Sequence, residues 1–185
     1  MMLSRSNWLI LGLAVLAAAI GGFAEHRNRQ PLPPTDTALI GQPAPAITLP
    51  DLGGQPHALS DYRGHRVLLN FWASWCGPCL EEIPALVKAQ DKFGENAPIV
   101  VGIAMDTPVH VKAFLATHPV NYPTLLGKMT PPSTSLELGN TALVLPYSVL
   151  ISADGRILAT HAGALSAAQL EHWLAPSIAP LIKID

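Results

Sequence analysis

The sequence predicts an α/β domain in which a central mixed β-sheet is flanked by helices, preceded by an N-terminal transmembrane helix. Three features lead there. From about Gly41 short aliphatic and β-branched runs alternate with stretches of helical spacing, the last two runs form a hairpin followed by a helix, and residues 6–24 carry no charge. With 185 residues, 49% of them hydrophobic and 13% charged, the chain suits one domain with an appendage, at about 150 residues per domain.

The appendage comes first. Arg5 precedes the run WLILGLAVLAAAIGGFA, which ends at Glu25 and the Arg27/Arg29 pair. About 17 to 19 apolar residues lie at the short end of what spans a bilayer and exceed the core of a cleaved signal, about 7 to 15 residues. Residues 1–24 are therefore expected to be a membrane anchor. Gly22-Phe23-Ala24 also resembles a small-x-small cleavage site, which keeps removal after Ala24 as the alternative. Arginines on both sides leave the positive-inside rule nearly balanced. Residues 25–40 contain EHRNRQPLPPTD, whose prolines predict an extended tether, and residues 41–185 are the globular domain.

Within that domain, GQPAPAITLPDLGGQPHALSDYRG places turn dipeptides between short apolar pieces and predicts a small hairpin, then a brief helical turn near Leu59 to Tyr62. RVLLNFWA is a continuous apolar run, the pattern of a strand buried on both faces. Cys79 to Phe93 has Leu80, Ile83, Leu86 and Val87 near the helical period, with Gly94 after it. PIVVGIAMD predicts a second buried strand, followed by a cap at Asp106 or Thr107 and a helix containing Val111, Phe114 and Leu115. NYPTLLG reads as a short strand and TPPSTSLELGN as a loop with one or two helical turns. LPYSVLIS and RILATHA form a hairpin about Asp154-Gly155. Ser166 opens a last helix through Trp173, and Pro176 ends it.

A net charge of −2 with scattered lysines and arginines lacks the basic stripe of a nucleic-acid-binding protein. The chemistry concentrates instead in VLLNFWASWCGPCLEEIP, which holds the only two cysteines, Cys76 and Cys79. With two residues between them at a helix start, their sulfurs are close enough for a disulfide that closes a very small loop. Such a short cross-link removes little unfolded-state entropy, so it suits exchange better than stapling. Unpaired N–H groups and the helix dipole would favour a thiolate on Cys76, the attacking group, and Cys79 would resolve the mixed disulfide. A structural zinc site would need four ligands, and the histidines supply none at metal-ligand spacing. A two-thiolate Cu(I) site and an inert disulfide are the remaining alternatives.

The run NFWASWCGPCLEEIP resembles the active-site segment of the thioredoxin superfamily, and within it the membrane-tethered TlpA/ResA-type thiol-disulfide oxidoreductases of bacteria. GQPAPAITLPDLGG, LSDYRG, VVGIAMD, LPYSVLISADGRI and HAGALS resemble that group in order, from Gly41 to about Leu174. The resemblance implies a thioredoxin-like fold, with Cys76 as nucleophile, Cys79 as resolving thiol, Trp75 shielding the pair and Gly77-Pro78 helping to set the redox poise. It makes Pro84 the proline that kinks the active-site helix and Pro146 a cis-proline facing the cysteines. There the Leu145 backbone is available to an extended substrate segment. Val144 and Tyr147 flank this site in place of the Gly and Thr of the common version. Asn70 occupies the position of thioredoxin's buried aspartate and cannot shuttle a proton. Glu82, one helical turn after Cys79, matches a Glu in the ResA-like pattern and is the candidate proton acceptor. Its alternative is a solvated carboxylate like Glu81.

The implied activity is a protein-disulfide reductase on the bacterial inner membrane, its catalytic domain facing the periplasm. Its partners would be disulfide-bearing exported proteins, with apocytochrome c during cytochrome c maturation as the first candidate. A membrane thiol donor would refill the pair, and no cofactor beyond the redox-active cysteines is implied. A Cu(I) chaperone using Met105 or Met129 and a histidine belongs to a different class, but no Met or His lies inside the Cys motif. A thiol peroxidase would need Thr-x-x-Cys, whereas Ala73-Ser74-Trp75 precedes Cys76.

Overall fold

A computed structural model describes residues 36–93 and 98–175. The expected membrane helix and most of the tether lie outside these residues. At the tether's expected end, Asp36–Leu39 form a 3-10 turn, and Leu39 packs on the core. Among the described residues no helix is long and apolar enough to cross a membrane.

The predicted hairpin is β1 (Thr48–Pro50) paired antiparallel with β2 (Pro56–Ala58), followed by a 3-10 turn over Leu59–Tyr62. Asp51 turns the chain between them, its Oδ1 accepting from the Gly53 and Gln55 N–H groups at 2.8 and 2.9 Å. The central sheet contains β3 (Val67–Trp72), β4 (Ile99–Ala104), β5 (Thr124–Leu126), β6 (Tyr147–Ile151) and β7 (Ile157–Ala162) in the order β5-β4-β3-β6-β7. The β3–β4 and β4–β5 pairs are parallel, and β3–β6 and β6–β7 antiparallel. This is the mixed thioredoxin-like sheet. Central placement explains why all six residues of β3 are buried and why the run is apolar without alternation.

Alternate residues of β3 feed two cores. Val67, Leu69 and Phe71 pack with Ile47 and Leu49 from the N-terminal hairpin region and with Leu138. Leu68 faces the other way, toward Leu86 of α1 (Gly77–Phe93) and Leu170 and Trp173 of α4 (Ala167–Leu174). Trp72, on that same second face, joins Ala104, Cys79, Ile83 and Val111, the last from α2 (Pro108–Thr117). A single turn, α3 (Thr134–Glu137), lies in the loop before β6.

Caps delimit the later helices. Thr107 Oγ1 accepts from the His110 N–H ahead of α2, while Asp106, the other candidate cap, binds elsewhere. Ser166 and Gln169 form a capping box on α4, satisfying backbone donors that a helix start leaves free. Active-site helix α1 begins at Gly77, two residues before the expected Cys79. Gly and Pro signal turns, but proline in a helix's first turn loses nothing, because its missing N–H has no intrahelical acceptor there.

Candidate active site

Strand β3 ends at Trp72, and the chain crosses from the sheet to α1 in four residues. The Cys76 N–H donates to the Ala73 carbonyl at 3.1 Å, and the Cys76 carbonyl accepts the first helical bond from Leu80 N–H at 3.1 Å. Cys76 therefore sits at the cap of α1 and Cys79 one turn inside. The two are joined in a disulfide with Cα atoms 5.3 Å apart, within the usual disulfide range. Cys76 is 6% exposed and Cys79 1%, so an incoming group reaches Cys76 first. Below them lie Trp72, Ala73, Ile83, Ala104 and Val111.

Trp75, expected to shield the pair, is 70% exposed; the tryptophan in the buried cysteine cluster is Trp72. Gly77 and Pro78 are exposed. A Cβ at Gly77 would meet nothing within 4 Å, so packing does not demand the glycine. Pro84 lies inside α1, where it cannot donate to the Leu80 carbonyl.

The Leu145-Pro146 peptide bond is cis. Leu145 packs against the cluster that contains both cysteines, which places this loop beside the disulfide. Pro146 is buried, and its carbonyl accepts from Gly163 N–H at 2.8 Å. Among the described residues, neither the N–H nor the carbonyl of Leu145 makes a hydrogen bond.

Glu82 is 4% exposed, while its neighbour Glu81 is exposed. Its Oε1 accepts from the Leu165 N–H at 2.6 Å and its Oε2 from Asn70 Nδ2 at 2.9 Å. Asn70 Nδ2 also donates to Ser148 Oγ at 3.1 Å, its partner across the β3–β6 ladder. Burial pushes the Glu82 carboxyl above its ordinary value, opposed by the bonds from Leu165 and Asn70 and by the His161 charge. Burial, aided by the Glu82 charge, also holds the Tyr122 hydroxyl protonated far into the alkaline range. The helical spacing from Cys79 singled out Glu82, but Ser148 and Leu165 arrive from distant segments and carried no sequence signal.

A second cluster, also missed in the sequence, fixes the loop before Cys76. Asp106 Oδ2 accepts from Ser74 N–H at 3.1 Å and from Ser74 Oγ at 2.5 Å, and its Oδ1 accepts from Thr107 N–H at 2.6 Å and meets His110 Nδ1 at 3.2 Å. Burial works to raise the Asp106 carboxyl, but these bonds together hold it below the ordinary carboxylate value. Met105 packs in the opposite core and Met129 is exposed. Among the described residues no three or more His, Cys, Asp or Glu side chains are grouped to hold a metal.

Residues 40–160 match the AhpC/TSA family. Thiol-disulfide oxidoreductase ResA of Bacillus cereus (strain ATCC 10987 / NRS 248) is 32% identical over 92% of this chain and 95% of its own length. A thiol:disulfide interchange protein of the thioredoxin family from Chlorobium tepidum superposes with a TM-score of 0.56 at 28% identity, over 70% of this chain and 90% of that one. A secreted thiol-disulfide isomerase from Corynebacterium glutamicum gives 0.63 at 25% identity, over 72% and 83%. The chain belongs to the thioredoxin-like AhpC/TSA family, and its fold and Cys76–Cys79 pair make it a thiol-disulfide oxidoreductase.

Proposed function

We propose that this enzyme reduces disulfides in exported proteins from a membrane-anchored position facing the periplasm. The Cys76 thiolate attacks one sulfur of the substrate disulfide, forming a mixed disulfide and expelling the other sulfur as a thiolate. Cys79, deprotonated by Glu82, then attacks Cys76 Sγ and releases the second substrate thiol. The protein is left with the Cys76–Cys79 disulfide, which a membrane thiol donor returns to the dithiol.

The observation that carries this proposal is the more exposed cysteine at the N-terminal cap of α1, in a cluster against which Leu145 packs, with the Leu145 backbone unpaired among the described residues. The helix start favours the anion of Cys76, and an extended substrate strand can bond Leu145 as it would a sheet edge. The apolar run at residues 8–24 supports the anchored location, and a secreted relative fits an exported enzyme. Apocytochrome c, reduced before haem attachment, is the substrate most in keeping with the TlpA/ResA-like motifs.

Two measurements test the proposal. The Cys76/Cys79 potential should lie well below about −200 mV, whereas a value near about −120 mV, that of a strong oxidant, would reverse the direction. The Cys76→Ser protein should lose disulfide reduction, and an undiminished rate would end the assignment.

A further inference from the structure

We propose that Leu143 and Val144 form an apolar ledge that selects substrates with hydrophobic side chains beside the reacting disulfide; this rests on the exchange reaction above. Leu143 is 62% exposed, and Val144 is also exposed. They immediately precede Leu145, which packs against the cysteine cluster, and Trp75, next to Cys76, is exposed as well. Three of the large exposed hydrophobic side chains of the described residues are thus within three positions of Cys76 or Pro146.

The backbone shows that the display is built. Leu143 has φ 53°, the one positive φ at a non-glycine residue among those described, in a left-handed region that an L residue with a bulky side chain rarely adopts. Buried Asn140 braces this turn. The Asn140 Nδ2 donates to the Val144 carbonyl at 2.8 Å, its Oδ1 accepts from Val144 N–H at 3.1 Å, and its carbonyl accepts from Leu143 N–H at 3.1 Å. One side-chain amide thereby grips both backbone groups of Val144, as a neighbouring strand would.

For stability alone, glycine or asparagine would suit the conformation at 143 and a polar side chain would suit the exposure. The chain instead places leucine and valine directly before Leu145, on the path an extended segment bonded to that residue would take. In such a segment alternate side chains point toward the same surface, so the substrate residues flanking its cysteine would cover the ledge.

The test uses the full chain in detergent, reduced beforehand and mixed in single turnover with two synthetic peptides. Both carry one disulfide, flanked in the first by Leu and Phe and in the second by Ser and Asn. The peptide disulfide becomes two thiols as the Cys76/Cys79 dithiol becomes a disulfide. The wild type should reduce the apolar peptide about tenfold faster, equivalent to about 1.4 kcal/mol. In the double variant Leu143→Asn, Val144→Thr, whose asparagine tolerates the left-handed backbone, the two rates should converge. Equal rates in the wild type, or a preference that survives in the variant, would overturn the ledge and leave exchange standing. Reduction of neither peptide would overturn exchange and the ledge with it.

Discussion

Asn70 Nδ2 and Glu82 Oε2 lie 2.9 Å apart across the buried contact between β3 and α1, so a carboxylate one turn beyond Cys79 is held by an amide that cannot take its proton. Glu82→Gln should stay folded: Asn70 can rotate its amide so that its oxygen accepts from the NH2 of the introduced glutamine while the Ser148 hydroxyl reverses to donate. General-base assistance contributes about a hundredfold or more. Release of the mixed disulfide should therefore slow by about that factor and its pH profile should change. Single-turnover decay of the Cys76 mixed disulfide measures both, and an unchanged rate and profile would remove Glu82 from the reaction.

The same carboxyl links stability to pH. Burial raises its folded-state value above the ordinary 4.5, so the folded protein binds more protons than the unfolded chain in the window just above that value. Stability is then fully present below it and declines as pH rises through the raised value, at no more than about 1.4 kcal/mol per pH unit. Urea unfolding of the oxidised protein at several pH values should show this decline, and Glu82→Gln should flatten it.

Asp106 acts in the opposite sense. Its hydrogen bonds hold it below the ordinary value, so its contribution is present at neutral pH and lost on acidification through the lowered value. Asp106→Ala strands the Ser74 and Thr107 N–H groups and should cost about 2–3 kcal/mol at pH 7. A loss below about 0.5 kcal/mol in denaturant unfolding would show that the loop before Cys76 is held by other contacts.

Gly102 leaves space that the second core uses. A Cβ there would come within 3.2 Å of both Trp72 Nε1 and Tyr122 Cε2, atoms of buried rings with little freedom to withdraw. Gly102→Ala should destabilise by about 1–3 kcal/mol through overpacking, read as a lower urea midpoint at unchanged slope.

The elements followed from local pattern. The unbroken apolar run of β3, the helical spacing from Leu80 to Val87, the Ser166 cap and the Asp154-Gly155 turn each occupy the place their residues announce, because each depends on neighbours a few positions away. The start of α1 was misplaced because Gly77 and Pro78 carry turn signals that the first turn of a helix also accepts. The surroundings of Trp75 and Asp106 were not legible either. Exposure of one tryptophan and burial of its near neighbour depend on which way the loop leaves β3, and that is set by a hydrogen bond spanning 32 positions.

By itself the sequence determined the cysteine pair, its place at the head of a helix, the α/β order and the spacing that puts Glu82 one turn from Cys79. Only the tertiary structure decided what surrounds that carboxylate. Leu165 stands 83 positions away and Ser148 lies 78 positions from Asn70, brought together when β6 pairs with β3 and the segment before α4 closes over α1. Periodicity reports which side of an element is apolar, whereas the protonation of a buried group depends on the particular donors that folding delivers to it.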